Sequence, residues 1–343
     1  MWGLYSTYGL AAIMGAPLLV TIYMTAERAR CFYYLILFIG CATIMNTTKL
    51  FYHEPRPIWV DPAIQAFGCS AQYGNPSGHA LCSFGISFGI WLDLNNSNKD
   101  KWHWALRYGL LAVVLTFAAT IGYSRLFLGV HSLNQITFGY TLGLWFSLVL
   151  HFLYRDAIYE MSEKLIKGNQ ENLQAQNIYA TIIFVLCYVA EIYNYGVANN
   201  FVNDPSWSEA ITAKCGAAKL EDAYQVKGIV DFGLIGAAFG GFYGMTASAA
   251  YMPGLLVKSD LGNACTNLKR FLVRLLSVCP LLLLMVFVHV NPNEVWIAAI
   301  FKQFVPMTVG AFGLFFYADW INDKLGFFPA LESITEDLER SGK

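Results

Sequence analysis

Charge is scarce in this sequence. Lys, Arg, Asp and Glu together make up 13% of 343 residues, against about 25% in an average soluble domain. That deficit argues against a soluble globular chain, and the mean hydropathy of +0.45 agrees with it. An excess of either sign is missing too. The 22 basic and 23 acidic residues leave a net charge of -1, so no global field favours nucleic acid. The eight cysteines follow neither a metal-ligand spacing nor a disulfide-framework spacing. Cys31, Cys41, Cys82, Cys187 and Cys279 lie in apolar segments and read as small buried hydrophobes. A cleavable leader is not expected. The apolar stretch from Tyr5 to Thr25 has no basic region before it and runs into Glu27-Arg28-Ala29-Arg30, not into a small-residue cleavage site. It reads as a span that also serves as targeting signal. Internal repeats and a soluble domain are likewise missing.

What the chain has is long apolar blocks. Hydrophobic residues make up 56% of it, and they cluster in runs near the roughly 20 residues that cross a bilayer. The reading is an all-α, polytopic membrane bundle of about nine spans, near 4–25, 31–50, 78–95, 105–123, 133–154, 177–196, 227–251, 270–290 and 295–320. Residues 1–155 form the expected core, 156–320 a set of additional helices, and 321–343 a polar tail. Polar connectors are expected at Asn95–Trp104, Arg155–Gln176, Asn199–Val226 and Lys258–Lys269.

Orientation follows from the basic residues. Arg28, Arg30, Lys99, Lys101, Arg107, Arg155, Lys164, Lys167, Lys258, Lys269 and Arg270 fall in one set of loops, which is therefore expected in the cytosol with the tail. The opposite set, with the N-terminus, faces the lumen or the outside.

Three polar clusters lie at span ends on that outer face. The first is Lys49, six residues, then Arg56-Pro57. The second, Pro76-Ser77-Gly78-His79, opens a span. The third is Ser124-Arg125, five residues, then His131. One Lys, two Arg and two His thus gather on the side that should be poor in Lys and Arg. Such a set suits a phosphate. Arg offers paired planar donors, and Lys adds a point charge. Backbone N–H groups at Ser77 and Gly78 would open a helix N-terminus, where anions bind. Two histidines supply a nucleophile and a proton donor.

This ordered triple, over roughly positions 45–145, resembles the type-2 phosphatidic acid phosphatase superfamily, which includes glucose-6-phosphatases and vanadium haloperoxidases. The resemblance implies a metal-independent phosphatase without cofactor. It implies that His131 attacks phosphorus, that His79 protonates the leaving oxygen, and that Lys49, Arg56 and Arg125 clamp the phosphoryl group with help from Ser77 and Gly78. Most members carry an aspartate four residues after the attacking histidine; here that position is Gln135. Glutamine can hold the imidazole tautomer but cannot stabilise imidazolium by charge. Gln135 and Arg56-Pro57-Ile58-Trp59 are similar to glucose-6-phosphatases. Tyr73-Gly74-Asn75-Pro76 and Gly129-Val130-His131-Ser132 are similar to sphingoid-base phosphate phosphatases.

The expected substrate is a phosphorylated lipid, with a sugar phosphate as the alternative, and the expected partners are membrane lipids. The resemblance places the protein in the endoplasmic reticulum or another endomembrane, with its site lumenal or extracytoplasmic. A catalytically degenerate lipid-binding protein is the non-enzymatic alternative, and Gln135 is the residue that motivates it. A transporter would explain the spans but not the motifs, and a haloperoxidase would need bound vanadate. Other polar residues have plainer readings. His53 and Glu54, inside the first motif, are expected to be solvated loop residues. Glu191, Asp231 and Lys302 are expected to pair within the bundle. Gly236, Gly240 and Gly244 form a small-residue face for packing, with a homo-oligomer contact as the alternative. Cys69 and Cys215 share the outer face, with nothing in the sequence to set their distance.

Overall fold

The computed structural model describes residues 28–70, 72–166, 173–215, 230–252, 254–255, 269–270, 272–273, 276 and 297–328. All regular structure among them is helical. In chain order the helices are α1 (Arg28–Tyr52), a short α2 (Pro57–Val60), α3 (Gly78–Ser97), α4 (Trp104–Phe127), α5 (Leu133–Val149), α6 (Arg155–Ile166), α7 (Leu173–Asn199), α8 (Pro205–Cys215), α9 (Val230–Tyr251), α10 (Val305–Phe315) and α11 (Tyr317–Lys324). Among the described residues, five stretches are long and apolar enough to cross a membrane: Arg28–Val60, Trp104–Phe127, Leu133–Ile166, Leu173–Val197 and Ala299–Lys324. The expected spans at 4–25 and most of 270–290 lie outside the described residues. Helices α3 and α9, with 20 and 22 residues, have the length but carry more Gly, Ser and other polar residues.

Two expected connectors contain helices. A π-helical turn, Leu150–Tyr154, joins α5 to α6. Helix α6 buries Ser162, Leu165 and Ile166, while Glu160 and Lys164 pair across one exposed turn at 2.6 Å. This one-sided pattern makes it a surface helix, not a loop. Helix α8 starts where Asp204 Oδ1 accepts from the Ser206 N–H at 2.9 Å, with Pro205 at the first helical position.

The chain divides into two compact units. Of the described residues, one holds 36–155 and 188–215, and the other holds 28–35, 156–187 and 232–328. Residues 188–215 thus belong with the three motifs, beyond the expected core boundary at 155.

In the first unit α3 and α5 run side by side in parallel. A Cβ at Gly139 would meet the Ser77 carbonyl oxygen at 2.7 Å, and one at Gly143 the Leu81 carbonyl oxygen at 2.6 Å. Ser147 Oγ, one turn further, donates to the Gly85 carbonyl at 2.6 Å. Small residues at every fourth position let the two backbones touch. The register brings both helix N-termini to one level. Their far ends are latched by a buried ion pair, Arg155 Nε to Asp93 Oδ1 at 2.7 Å.

In the second unit Gly236, Gly240 and Gly244 face Thr308, Phe312 and Phe315 of α10, so this stripe serves packing within the bundle. Arg28 Nη2 and Asp319 Oδ1 pair at 3.0 Å with both side chains fully buried. Replacing Arg28 by Met would take from that buried carboxylate the cation it pairs with. The expected loss is about 3–5 kcal/mol, read as a fall in unfolding temperature in detergent, and Arg28→Met with Asp319→Leu should restore most of it. Glu191, in the first unit, is buried and accepts from Thr47 Oγ1 at 2.8 Å. The side chains of Asp231 and Lys302, its expected partners, lie outside the described residues.

Candidate active site

The three motifs meet in the first unit at the end where α3 and α5 begin and α1 and α4 finish. Lys49 sits in the last turn of α1 and Arg125 in the last turn of α4, where unpaired carbonyls favour cations. Both are almost fully buried, as is Arg56. Lys49 Nζ donates to Gln72 Oε1 at 3.3 Å.

His131 lies in the turn between α4 and α5. Gly129 makes that turn with φ of +72°, a left-handed conformation that ends α4 without the cost a Cβ would bring. A Cβ there would also meet the Gln65 carbonyl oxygen at 3.0 Å. Ser132 then caps α5. Its hydroxyl accepts from the Gln135 N–H, and Gln135 Oε1 accepts from the Ser132 N–H, both at 3.3 Å. This capping box folds the Gln135 side chain back over the helix start. It thereby reaches His131, with Oε1 3.2 Å from Nδ1.

The amide of Gln135 has a defined orientation. Its Nε2 donates to Glu54 Oε1 and to the Pro55 carbonyl, each at 2.9 Å. Two acceptors on one side and the Ser132 N–H on the other leave Oε1 facing the imidazole. Nδ1 of His131 must then carry the proton, and Nε2 keeps its lone pair. Arg56 Nη1 lies 2.9 Å from that Nε2, as a donor requires.

Arg56 also ties the motifs together. Its Nε donates to the Gln72 carbonyl at 2.6 Å, Nη1 to the Val130 carbonyl at 2.8 Å and Nη2 to the Tyr73 carbonyl at 3.3 Å. Burial, and next the charges of Arg56, Lys49, Arg125 and His79, hold the His131 imidazole well below its usual pKa. The ring is therefore neutral through the physiological range. The sign for stability follows: the folded state resists a proton that the unfolded chain accepts below about pH 6.5, so this residue favours unfolding as acid is added.

Ser77 precedes α3 and is fully buried. Its N–H donates to the Gln135 carbonyl at 2.9 Å. Its hydroxyl makes no cap to the helix and has no hydrogen-bond partner among the described residues. Gly78 is buried and His79 half-buried beside it. All eight residues expected from the sequence thus fall at this one end of the unit. Among the described residues, no group of three or more His, Cys, Asp or Glu is placed to hold a metal ion.

A cap that the sequence did not suggest packs over the motif loops. Ile58, Trp59, Tyr73, Leu128, Val130 and Ile211 form a buried cluster. Cys69 and Cys215 form a disulfide with a Cα–Cα distance of 5.8 Å. Lys214 Nζ donates to the Asp61 and Ile64 carbonyls at 2.7 and 3.0 Å. Tyr73 Oη donates to Asn203 Oδ1 at 2.7 Å. His53 and Glu54 are not solvated loop residues. The His53 ring stacks on Phe201 at 4.0 Å. Glu54 takes Gln135 on one oxygen and the Asn75 amide, at 2.6 Å, on the other. The signal for Glu54 was the missing aspartate itself, since a neutral residue at 135 invites a search for a carboxylate nearby.

Residues 30–159, which contain all three motifs, match the PAP2 superfamily. No curated protein and no solved structure matches the chain. The PAP2 superfamily generally comprises phosphatases, and buried cations gathered beside a helix N-terminus suit a phosphate. Residues 30–159 of this chain belong to the PAP2 superfamily, the type-2 phosphatidic acid phosphatases.

Proposed function

We propose that this protein hydrolyses the phosphate monoester of a membrane lipid through a phosphohistidine on His131. The observation that carries the reading is the orientation of His131. Its Nδ1 is engaged by Gln135, and its Nε2 lone pair faces the Arg56 guanidinium. In the first step Nε2 forms a bond to phosphorus. The bond from phosphorus to the ester oxygen breaks, and that oxygen takes a proton from His79. In the second step water attacks phosphorus and gives its proton to His79. The phosphorus–nitrogen bond breaks and inorganic phosphate leaves. Lys49, Arg56 and Arg125, with the Ser77 hydroxyl and the Gly78 N–H, stabilise charge on the three non-bridging oxygens.

A lipid is favoured by what surrounds the motifs. Phe51, Phe127 and Leu133 are 69, 51 and 67% exposed, and each lies two residues from Lys49, Arg125 or His131. Acyl chains can rest on such a collar while the headgroup enters the cluster. The Cys69–Cys215 disulfide needs an oxidising compartment. Together with the basic residues of the opposite loops, it supports a lumenal or extracytoplasmic site, in the endoplasmic reticulum or another endomembrane.

The test is phosphate release by the purified protein in detergent. Sphingoid-base phosphate and phosphatidic acid are expected to turn over at least about 10-fold faster, by kcat/KM, than glucose 6-phosphate. Acid-labile, alkali-stable label should accumulate on His131. Release from glucose 6-phosphate alone would refute the lipid assignment, and release from none of the three would refute the phosphatase.

A further inference from the structure

In a histidine attack the ring acquires positive charge as the phosphorus–nitrogen bond forms. The charged groups that face this ring are Arg56, Lys49, Arg125 and His79, and all of them oppose that charge. A carboxylate next to Nδ1 would offset it, but position 135 holds a neutral glutamine. The structure places a carboxylate one residue further out. Glu54 Oε1 accepts from Gln135 Nε2 at 2.9 Å, and Gln135 Oε1 faces His131 Nδ1 at 3.2 Å. The second oxygen, Oε2, is held by Asn75 Nδ2 at 2.6 Å. Both carboxylate oxygens are thus occupied, and Glu54 is half-buried, where its field is less screened than at an open surface.

We propose that Glu54 is the positioning residue for the His131 nucleophile, acting through the Gln135 amide: Glu54 orients the glutamine so that its oxygen holds Nδ1–H, and its charge polarises that amide toward the ring as it turns cationic. The proposal rests on the phosphohistidine reading above. The amide carries the effect in two ways. Its orientation depends on an acceptor at Nε2, which Glu54 supplies with the Pro55 carbonyl. Its dipole lies between the carboxylate and the imidazole, and hydrogen bonds in such a chain strengthen one another. A solely structural role for Glu54 would also hold the loop, since its backbone carbonyl accepts from the Gly74 N–H at 2.7 Å. Side-chain substitution leaves that bond in place, so the two roles can be separated.

The experiment measures two anions on purified full-length protein by calorimetry. Orthovanadate bonds to the imidazole nitrogen and puts charge on the ring. Inorganic phosphate occupies the same cations without bonding to the ring. Glu54→Gln keeps shape, removes the charge and leaves one of the two acceptor oxygens. It should weaken vanadate on the order of 10- to 100-fold and leave phosphate within about 2-fold of wild type. The rate of phosphate release should fall with vanadate affinity. A second variant, Glu54→Gln with Gln135→Asp, moves the carboxylate directly beside Nδ1. It should bind vanadate within about 3-fold of wild type. Equal vanadate affinity in wild type and Glu54→Gln overturns the relay, as does an equal loss of both anions. If Glu54→Gln does not fold, the double variant decides: tight vanadate supports the relay and weak vanadate overturns it. Vanadate binding needs no turnover. Wild-type protein that binds vanadate but releases no phosphate would sink the phosphatase reading and leave the relay to be judged by its own variants.

Discussion

His131→Ala should lower kcat/KM for lipid phosphate by at least about 10⁴-fold, with the protein still folded. The size follows from the role. With the nucleophile gone, only phosphoryl binding and charge stabilisation by the cations are left. The fold should survive, because Arg56 keeps its bonds to the carbonyls of Gln72, Tyr73 and Val130. Gln135 likewise keeps Ser132, Glu54 and Pro55. Initial rates and a thermal melt on one preparation check both halves. His79→Ala should separate from it by leaving group. An alkoxide needs a proton as it departs, and nitrophenolate does not. His79→Ala should therefore lose far more on lipid phosphate than on p-nitrophenyl phosphate, whereas His131→Ala should lose both alike. Lipid-phosphate release by His131→Ala within 10-fold of wild type would remove histidine attack from the mechanism.

Arg56→Ala should harm chemistry and stability together. The guanidinium donates to three backbone carbonyls and lies 2.9 Å from His131 Nε2. Hydrogen bonds from a charged donor are worth about 1.5–3 kcal/mol each, and truncation leaves buried acceptors unsatisfied. Such losses are not additive, so a total of about 3–5 kcal/mol is expected, enough to lower the melting temperature clearly. The activity loss should reach about 10³–10⁴-fold, because the phosphoryl group loses a paired donor and His131 its neighbour. Arg56→Lys separates the parts. A single ammonium retains the charge but cannot reach three carbonyls in two separate segments at once. It should recover less than a tenth of the activity, and its melt should lie between the other two. A melt for Arg56→Ala equal to wild type would mean that Arg56 does not join the motifs.

Much of this was legible beforehand for reasons that can be named. Five of the nine expected spans coincide with described helices long and apolar enough to cross a membrane, because a backbone in lipid must satisfy its own hydrogen bonds. The eight residues that gather at one end of the first unit stood out because lysine, arginine and histidine are conspicuous at the ends of apolar runs, and Ser77, Gly78 and Gln135 belong to the same motifs. The expectations that failed concern side chains whose partners are distant in the chain. Glu54 read as a solvated loop residue because its neighbours in sequence are polar, while its partners Asn75 and Gln135 lie 21 and 81 positions away. The connector after α7 read as a polar loop because Ile211, the one buried aliphatic among its described residues, shows no stripe by itself.

The sequence by itself determined that this chain is an α-helical membrane protein and which residues have a chemistry that suits a phosphate, since apolar run length and residue chemistry are local properties. The tertiary structure alone decided the pairing of Cys69 with Cys215, the seating of α8 over the motif loops, and the arrangement of Glu54, Gln135 and His131. Each of these depends on distance and orientation between segments far apart in the chain, and those are set by how the helices pack: by the Gly139 and Gly143 crossing that levels two helix N-termini, and by the one arginine that joins three loops.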